Sequence, residues 1–313
     1  MIGTIPETAV VIPTCGRGAA LKRCLNPLLP YLDKHPECTV IVSDDGNAAE
    51  TIVALEVNSE RVRVIQGPRR GPAANRNYGA ANSTASLLIF LDDDCIPDPG
   101  LIAAYQKVAK LEQGISVFEG RTSPDGVISG FGDGCPANET GGHLWSCNFA
   151  IRRELFTSMG GFDERFPFPA MEDVDLRYRL KGRSPIRFLP NARVFHPVER
   201  RVGWKVLRHR ALSSVLYSHL HGQQRTQLGP SYYARSLTRE IVYGALRCLR
   251  RKAAKDPQQF LRSICVQFQL MLITALWKEH PYLAKKFFPP CCKGCHSIHA
   301  ILSDAGNLST REF

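Results

Sequence analysis

Apolar residues in the first hundred positions gather in short, mostly unbroken runs. These are Ala9-Val10-Val11-Ile12-Pro13, Thr39-Val40-Ile41-Val42-Ser43, Arg61-Val62-Arg63-Val64-Ile65 and Ser86-Leu87-Leu88-Ile89-Phe90-Leu91. A run without alternation reads as a strand buried on both faces, the kind found in parallel sheets. Between the runs the spacing turns helical. Leu21, Cys24, Leu25 and Leu28 mark a helix within Ala19 to Leu32, and Gly71-Pro72 opens another through Ala73, Ala74, Tyr78 and Ala81. Strands alternating with helices at this spacing predict βαβ units and an α/β fold with a parallel sheet.

The rhythm changes after Pro97. Leu101 to Leu111 has helical spacing, and Ser116 to Gly120 reads as a strand. Residues 122–142 are rich in Gly, Pro, Asp and Ser and predict a long loop, a kind of segment that is commonly functional inside a domain. His143 to Ile151 reads as a strand, Gly160-Gly161-Phe162-Asp163 as a turn, and Met171 to Leu180 as a helix with Glu172 and Asp173 in its first turn. Ile186 to Leu189 and Arg193 to His196 read as two short strands before Pro197.

Charge divides the chain more sharply than pattern does. Residues 1–200 carry 22 Lys and Arg against 24 Asp and Glu, a net of −2; residues 201–313 carry 18 against 5, a net of +13. The basic segment also reads as helical, with one face at Leu237, Ile241, Ala245, Cys248 and Leu249 and an apolar stretch from Ile264 to Trp277 that is either a helix buried against the main domain or one lying in a membrane interface. A basic, helical segment seeks anionic partners, and apolar insertion combined with basic attraction is what reversible membrane anchoring needs. Nucleic acid is not expected, because no recognisable reading motif accompanies the charge. No stretch reaches the roughly 18 apolar residues of a bilayer span. The start of the chain lacks the basic and apolar blocks of a secretory signal. The expectation is a cytoplasmic protein, peripheral on the inner face of the membrane, with its 11 cysteines reduced and the sequons at Asn82, Asn138 and Asn307 unused. Cys291, Cys292 and Cys295 with His296 and His299 lack a second well-spaced ligand pair and read as plain thiols in a tail.

The chemistry gathers where the strands end. Asp44-Asp45 follows the second run and Asp92-Asp93-Asp94 the fourth. In open α/β sheets ligands sit at the carboxyl ends of the strands. Adjacent carboxylates there repel one another, and hard oxygen ligands at this spacing suit Mg²⁺ or Mn²⁺, which commonly arrives with phosphates.

In this order the motifs resemble the inverting family 2 glycosyltransferases with the GT-A fold, across residues 9 to about 197. Val10-Val11-Ile12-Pro13-Thr14 with Arg17 resembles the opening strand and nucleotide turn, although Cys15-Gly16 replaces the usual Tyr-Asn. Val42-Ser43-Asp44-Asp45-Gly46 resembles the strand that reads the nucleotide base, Gly71 to Gly79 the Gly-Ala-Ala-Arg-Asn helix, and Asp92-Asp93-Asp94 the Asp-x-Asp metal motif. Asn148 to Arg152 with Gly160 to Glu164 resembles the acceptor-side signature, and Glu172-Asp173-Val174-Asp175-Leu176 with Arg179-Leu180 the segment supplying the catalytic base.

The resemblance implies a GT-A (Rossmann-like), mostly parallel sheet flanked by helices in residues 1–200, with 1–98 the nucleotide-sugar half and 99–200 the acceptor half. The resemblance does not reach residues 201–313, which read as a basic α-helical extension. It implies transfer of a sugar from a nucleotide-diphosphate sugar to a hydroxyl of a glycan or lipid-linked acceptor, as in cell-surface polysaccharide or glycolipid synthesis. Asp173 would be the general base. Pro13, Thr14, Arg17, Asp45, Arg76, Asp92 and Asp93 would bind the donor, and Asp94, Asp92 and His196 would hold Mn²⁺ or Mg²⁺. Glu172, Trp145 and Asn148 would face the acceptor.

Rival readings fit less well. A haloacid-dehalogenase-type phosphatase places its Asp-x-Asp near the N-terminus with Thr or Val two positions on, where this chain has Ile96. A sugar nucleotidyltransferase wants a Gly-rich loop after the first strand, and Pro13-Thr14-Cys15-Gly16 is not one. A transferase acting on a polyprenyl phosphate needs no base, so Glu172-Asp173 argues against it. A non-catalytic, membrane-docking nucleotide-sugar-binding module is opposed by the intact set of acids.

Overall fold

The computed structural model describes residues 4–56, 59–128, 133–200 and 204–221, together with isolated helical positions between 231 and 302. These fall into two compact units. One comprises Met1–Val127, Cys135–Pro167 and Glu172–Val198; the other comprises Ile128–Gly134, Phe168–Met171 and Glu199–Phe313.

The first unit begins with four strands linked by helices: β1 (Thr8–Thr14), α1 (Gly18–Leu25), α2 (Leu29–Leu32), β2 (Cys38–Asp44), α3 (Ala48–Leu55), β3 (Val62–Gln66), α4 (Pro72–Ala81) and β4 (Leu87–Leu91). β1 pairs in parallel with β2 and with β4, and β2 with β3. Helical crossovers allow this, since parallel neighbours cannot be joined by a tight turn. Every residue of β1 and β4 is buried, as unbroken apolar runs require. The expected helix from Ala19 to Leu32 is instead two. Pro27 has no N–H to donate, and its ring would crowd the carbonyl one turn back, so α1 stops at Leu25.

The chain continues through β5 (Ile96–Pro97), α5 (Leu101–Leu111), β6 (Val117–Asp125), β7 (Asp133–Gly134), β8 (Asn148–Arg152), α6 (Arg153–Ser158), α7 (Glu172–Arg179), β9 (Ile186–Pro197), β10 (Glu199–Arg200) and α8 (Trp204–Leu220). The large sheet has the order β3-β2-β1-β4-β8-β6-β9-β5. β8 runs antiparallel to both β4 and β6, β6 and β9 are parallel, and β5 pairs antiparallel with β9. The sheet is therefore mixed beyond β4, with parallel pairs in the majority.

Three expectations in this half are corrected. Residues 122–125 belong to β6 rather than to the loop. The two short strands near the end are one, β9, with a shift in register opposite Gly120 and Arg121. The strand expected from His143 starts only at Asn148, because Gly141, Gly142 and Leu144 have φ values of 87°, 97° and 51°. Left-handed backbone of that kind cannot continue a ladder.

Two apolar layers cover the faces of the sheet. One gathers Val10, Ile12, Leu21, Leu25, Ile89, Tyr105 and Phe118; the other gathers Val11, Phe90, Phe149, Phe156, Phe162 and Leu176. In the second unit, β7 and β10 pair antiparallel, and the Phe168 ring stacks on His209 of α8 with centroids 3.7 Å apart. The Leu237–Leu249 face, half of the Ile264–Trp277 stretch and the Cys291, Cys292 and Cys295 group with its histidines lie outside the described residues.

Candidate active site

Parallel pairing aligns the ends of β1, β2 and β4. Thr14 stands opposite Asp44, and Asp92 follows directly on Leu91. The three adjacent acids then take three different environments. Asp93 turns inward and is fully buried, accepting from Thr14 Oγ1 at 2.5 Å and Arg17 Nε at 3.0 Å, with Arg17 Nη2 on its other oxygen. Burial pushes its carboxyl up to about 6 against the pull of Arg17. Asp92 faces Arg76 Nη2 at 2.6 Å. Asp94 accepts from Arg17 Nη1 at 3.0 Å, and its Oδ1 stands 3.5 Å from His196 Nε2.

His196 closes β9 and lies 102 positions from Asp94 (196 minus 94). Its Nδ1 is 3.0 Å from the Pro197 carbonyl, which can only accept, so Nδ1 carries the proton. That tautomer turns the Nε2 lone pair toward the Asp94 carboxylate. Two acceptor atoms facing each other at 3.5 Å repel unless a proton or a cation lies between them. One imidazole nitrogen and one carboxylate oxygen fit Mn²⁺, and with more water also Mg²⁺.

Asp94, Cys95 and His196 form the ligand-bearing cluster among the described residues, each offering an atom within 4.8 Å of the others. Sequence reasoning missed Cys95. Burial holds its thiol well above the ordinary range, and a hard cation prefers oxygen to a protonated thiol. Asp92, expected as a further ligand, lies outside the cluster and is engaged by Arg76.

Arg76 is not open to a ligand. It is 3% exposed, projects from α4, and bridges Asp92 and Glu172 Oε1, the latter at 3.1 Å. The guanidinium thus ties the acid edge of β4 to the first turn of α7. Gly71 makes the approach possible: its φ of 96° places it where a Cβ would strike the Pro167 carbonyl. A second tie comes from Asn77, whose amide donates to the Phe162 carbonyl and accepts from Phe162 N, both at 2.9 Å.

In the first turn of α7, Asp173 Oδ2 accepts from Ser146 N at 3.4 Å and Oδ1 from Val174 N at 2.8 Å. Burial pushes its carboxyl up, opposed by Arg76 and these two N–H groups. Glu172 is raised to about 8, first by burial and then by the charge of Asp173. Trp145 is half-buried, its Nε1 donating to the Ala137 carbonyl at 3.1 Å.

Asn148 sits differently from expectation. It is 1% exposed; its Oδ1 accepts from the Tyr105 hydroxyl, and its Nδ2 donates to the Arg121 and Ala192 carbonyls. Both polar atoms of its side chain are engaged by α5, β6 and β9, so it braces β8 against them. Pro13 is likewise buried within β1. Asp45, at the end of β2, accepts from Arg69 N at 2.8 Å and Gly71 N at 3.1 Å and anchors the loop into α4.

Residues 9–127 match the model of Glycosyl transferase family 2. Over that segment the chain is similar to the family. Its relatives include a validoxylamine A glucosyltransferase of Streptomyces hygroscopicus subsp. jinggangensis, 26% identical over 219 residues, covering 56% of this chain and 51% of the relative. The pre-mycofactocin glycosyltransferase of Mycobacterium tuberculosis is 28% identical over 212 residues, covering 61% and 42%. The chain thus spans about half the length, or less, of the curated relatives it matches. In fold it resembles a mannosyltransferase from Pyrobaculum calidifontis, solved with GDP-Man and Mn²⁺, at a TM-score of 0.57 and 14% identity, covering 88% of this chain and 89% of that one. The architecture is the GT-A arrangement.

Proposed function

We propose that this chain transfers a sugar, with inversion, from a nucleotide-diphosphate sugar to a hydroxyl of a glycan or lipid-linked acceptor. The observation that carries the reading is His196 Nε2 facing Asp94 Oδ1 at 3.5 Å, beside the acid edge of β4. Asp94 and His196 would hold Mn²⁺ or Mg²⁺, and the solved Pyrobaculum mannosyltransferase, which carries Mn²⁺ with its donor, supports that choice. When bound, the cation supplies positive charge against the diphosphate that leaves.

The side chains do the rest. Thr14, Arg17 and Asp45 border the donor, and Arg17, half-exposed beside Asp93 and Asp94, adds a second positive charge near the phosphates. Asp173 removes the proton from the attacking hydroxyl as the bond to the anomeric carbon forms and the bond to the diphosphate breaks. Arg76 holds Asp92 and Glu172 in place from beneath the site and does not contact the donor. A Campylobacter jejuni relative, 28% identical over 95 residues, is a glucosyltransferase acting on a polyprenol-linked glycan, which supports an acceptor of that class and a role in cell-surface polysaccharide or glycolipid synthesis. The basic residues 201–313 would keep such an enzyme at the inner face of an anionic membrane, the seat of lipid-linked acceptors.

A panel of nucleotide sugars incubated with the chain and Mn²⁺, read out as released UDP, dTDP or GDP, tests this. Release is expected for one donor, lost with EDTA and lost in Asp94→Ala together with Mn²⁺-dependent nucleotide binding in calorimetry. Absence of both release and metal-dependent binding across the panel would refute it.

A further inference from the structure

Glu119 is a buried carboxylate that the chemistry above does not use. It lies in β6, is 2% exposed, and pairs with no Lys or Arg among the described residues. Its charge is met by N–H groups instead. Gly142 N donates to Oε1; His143 N and Leu144 N donate to Oε2 at 3.1 and 2.7 Å; Asn138 Nδ2 reaches Oε2 at 3.4 Å. Three consecutive main-chain N–H groups converging on one anion make a nest wrapped around a side chain of the same protein.

The nest demands unusual backbone. Gly141, Gly142 and Leu144 all have positive φ, and a Cβ on Gly141 would lie 2.7 Å from Glu119 Oε1 and 2.9 Å from Phe188 Cβ. A Leu in the left-handed region is strained, and it persists here because Glu119 and the burial of its side chain over-determine it. Asn138 extends the order to the start of the loop, accepting from Gly141 N at 2.9 Å and bridging to Thr122. Two residues beyond the nest, Ser146 N donates to Asp173. Between them sits Trp145, its ring parallel to His143 at 5.1 Å.

We propose that Glu119 is a positioning residue for the acceptor side: it gathers residues 138–144 so that the Ser146 N–H meets the Asp173 carboxylate and the Trp145 indole keeps one orientation. The proposal rests on the reading of Asp173 as the base. Glu119 acts only through the loop and touches neither substrate.

Glu119→Gln removes the charge and turns an amide N–H₂ toward N–H donors, so part of the nest loses its acceptor. In the full chain, amide exchange at residues 141–146 should quicken. With Trp204 and Trp277 replaced by Phe, Trp145 emission should become more accessible to iodide. Calorimetric binding of UDP with Mn²⁺ should stay as in the parent if UDP is the released nucleotide, or GDP or dTDP in its place. Nucleotide release should fall about 10-fold or more in kcat with donor KM unchanged, and its acid limb should move to higher pH, because Asp173 loses an N–H that favours its ionised form. Glu119→Asp, which keeps the charge, should restore protection and most of the rate. Unchanged exchange and rate in E119Q would overturn the proposal. So would loss of nucleotide binding along with release, or an E119D as exposed and slow as E119Q. Asp173→Asn run in parallel separates the two readings: full turnover there removes Asp173 as base, whatever the loop does in E119Q.

Discussion

Asp173 and Glu172 are neighbours in sequence but face different partners, and the difference supports the role proposed for Asp173. Glu172 accepts a buried guanidinium; Asp173 accepts two main-chain N–H groups. Only Asp173 therefore keeps a carboxylate whose proton uptake breaks no ion pair. Asp173→Asn should abolish transfer while leaving metal-dependent nucleotide binding within a few-fold of the parent, measured by calorimetry beside turnover. The sign of the pH effect follows from its raised pKa. In the proposed mechanism the ionised form is the base, so the rate should decline as pH falls through a value above the ordinary aspartate range, and a limb at or below that range would contradict the proposal. The acids at this scale were legible in the sequence because they crowd the ends of apolar runs. The partners of Arg76, Asp93 and Asn148 were not. Whether a polar side chain points to a ligand or to a carbonyl inside the sheet depends on strands far away in sequence, such as β6 and β9 around Asn148.

At the scale of elements, α4 does more than cross over. It lies against β1, carries Arg76 under the acids, and receives Phe162 on Asn77. Close approach to β1 is possible because residue 79 is Gly, where a Cβ would lie 2.6 Å from Val11 Cγ1 in a fully buried strand. Gly79→Ala should therefore destabilise the chain by about 1–3 kcal/mol through overpacking, despite alanine's better helix propensity. Urea unfolding would read it, and a variant as stable as the parent would mean that α4 can lift from β1 without cost. Of the elements up to Pro97, α3 and β5 were missed, while β1 to β4, α1, α4 and, soon after, the exact span of α5 were legible from periodicity. The break at Pro27 and the late start of β8 were not. The first needs the geometry of proline weighed against an apolar stripe that runs through it; the second needs Glu119, which draws the N–H groups of Gly142 to Leu144 away from any ladder.

Across the whole molecule, charge separates residues 1–200 from residues 201–313. The net of −2 over residues 1–200 includes the acids of the site, and the net of +13 over residues 201–313 has no comparable acidic partner within its own segment. No described helix is long and apolar enough to cross a membrane; the proposed attachment of this segment is attraction to an anionic surface. Attraction of that kind is worth about 1 kcal/mol per Lys or Arg near an anionic surface and decays within a Debye length, roughly 8 Å at physiological salt. The chain should therefore sediment with vesicles containing phosphatidylglycerol, remain in solution with pure phosphatidylcholine, and be released as salt rises toward 1 M. Removing residues 222–313 should abolish sedimentation. Apolar insertion by the Ile264–Trp277 stretch would leave a fraction that salt does not release, and Phe268→Asp and Leu272→Asp should then eliminate that fraction while sparing the salt-sensitive one. Equal sedimentation with neutral and anionic vesicles, or none with either, would separate the positive charge from any role at a membrane.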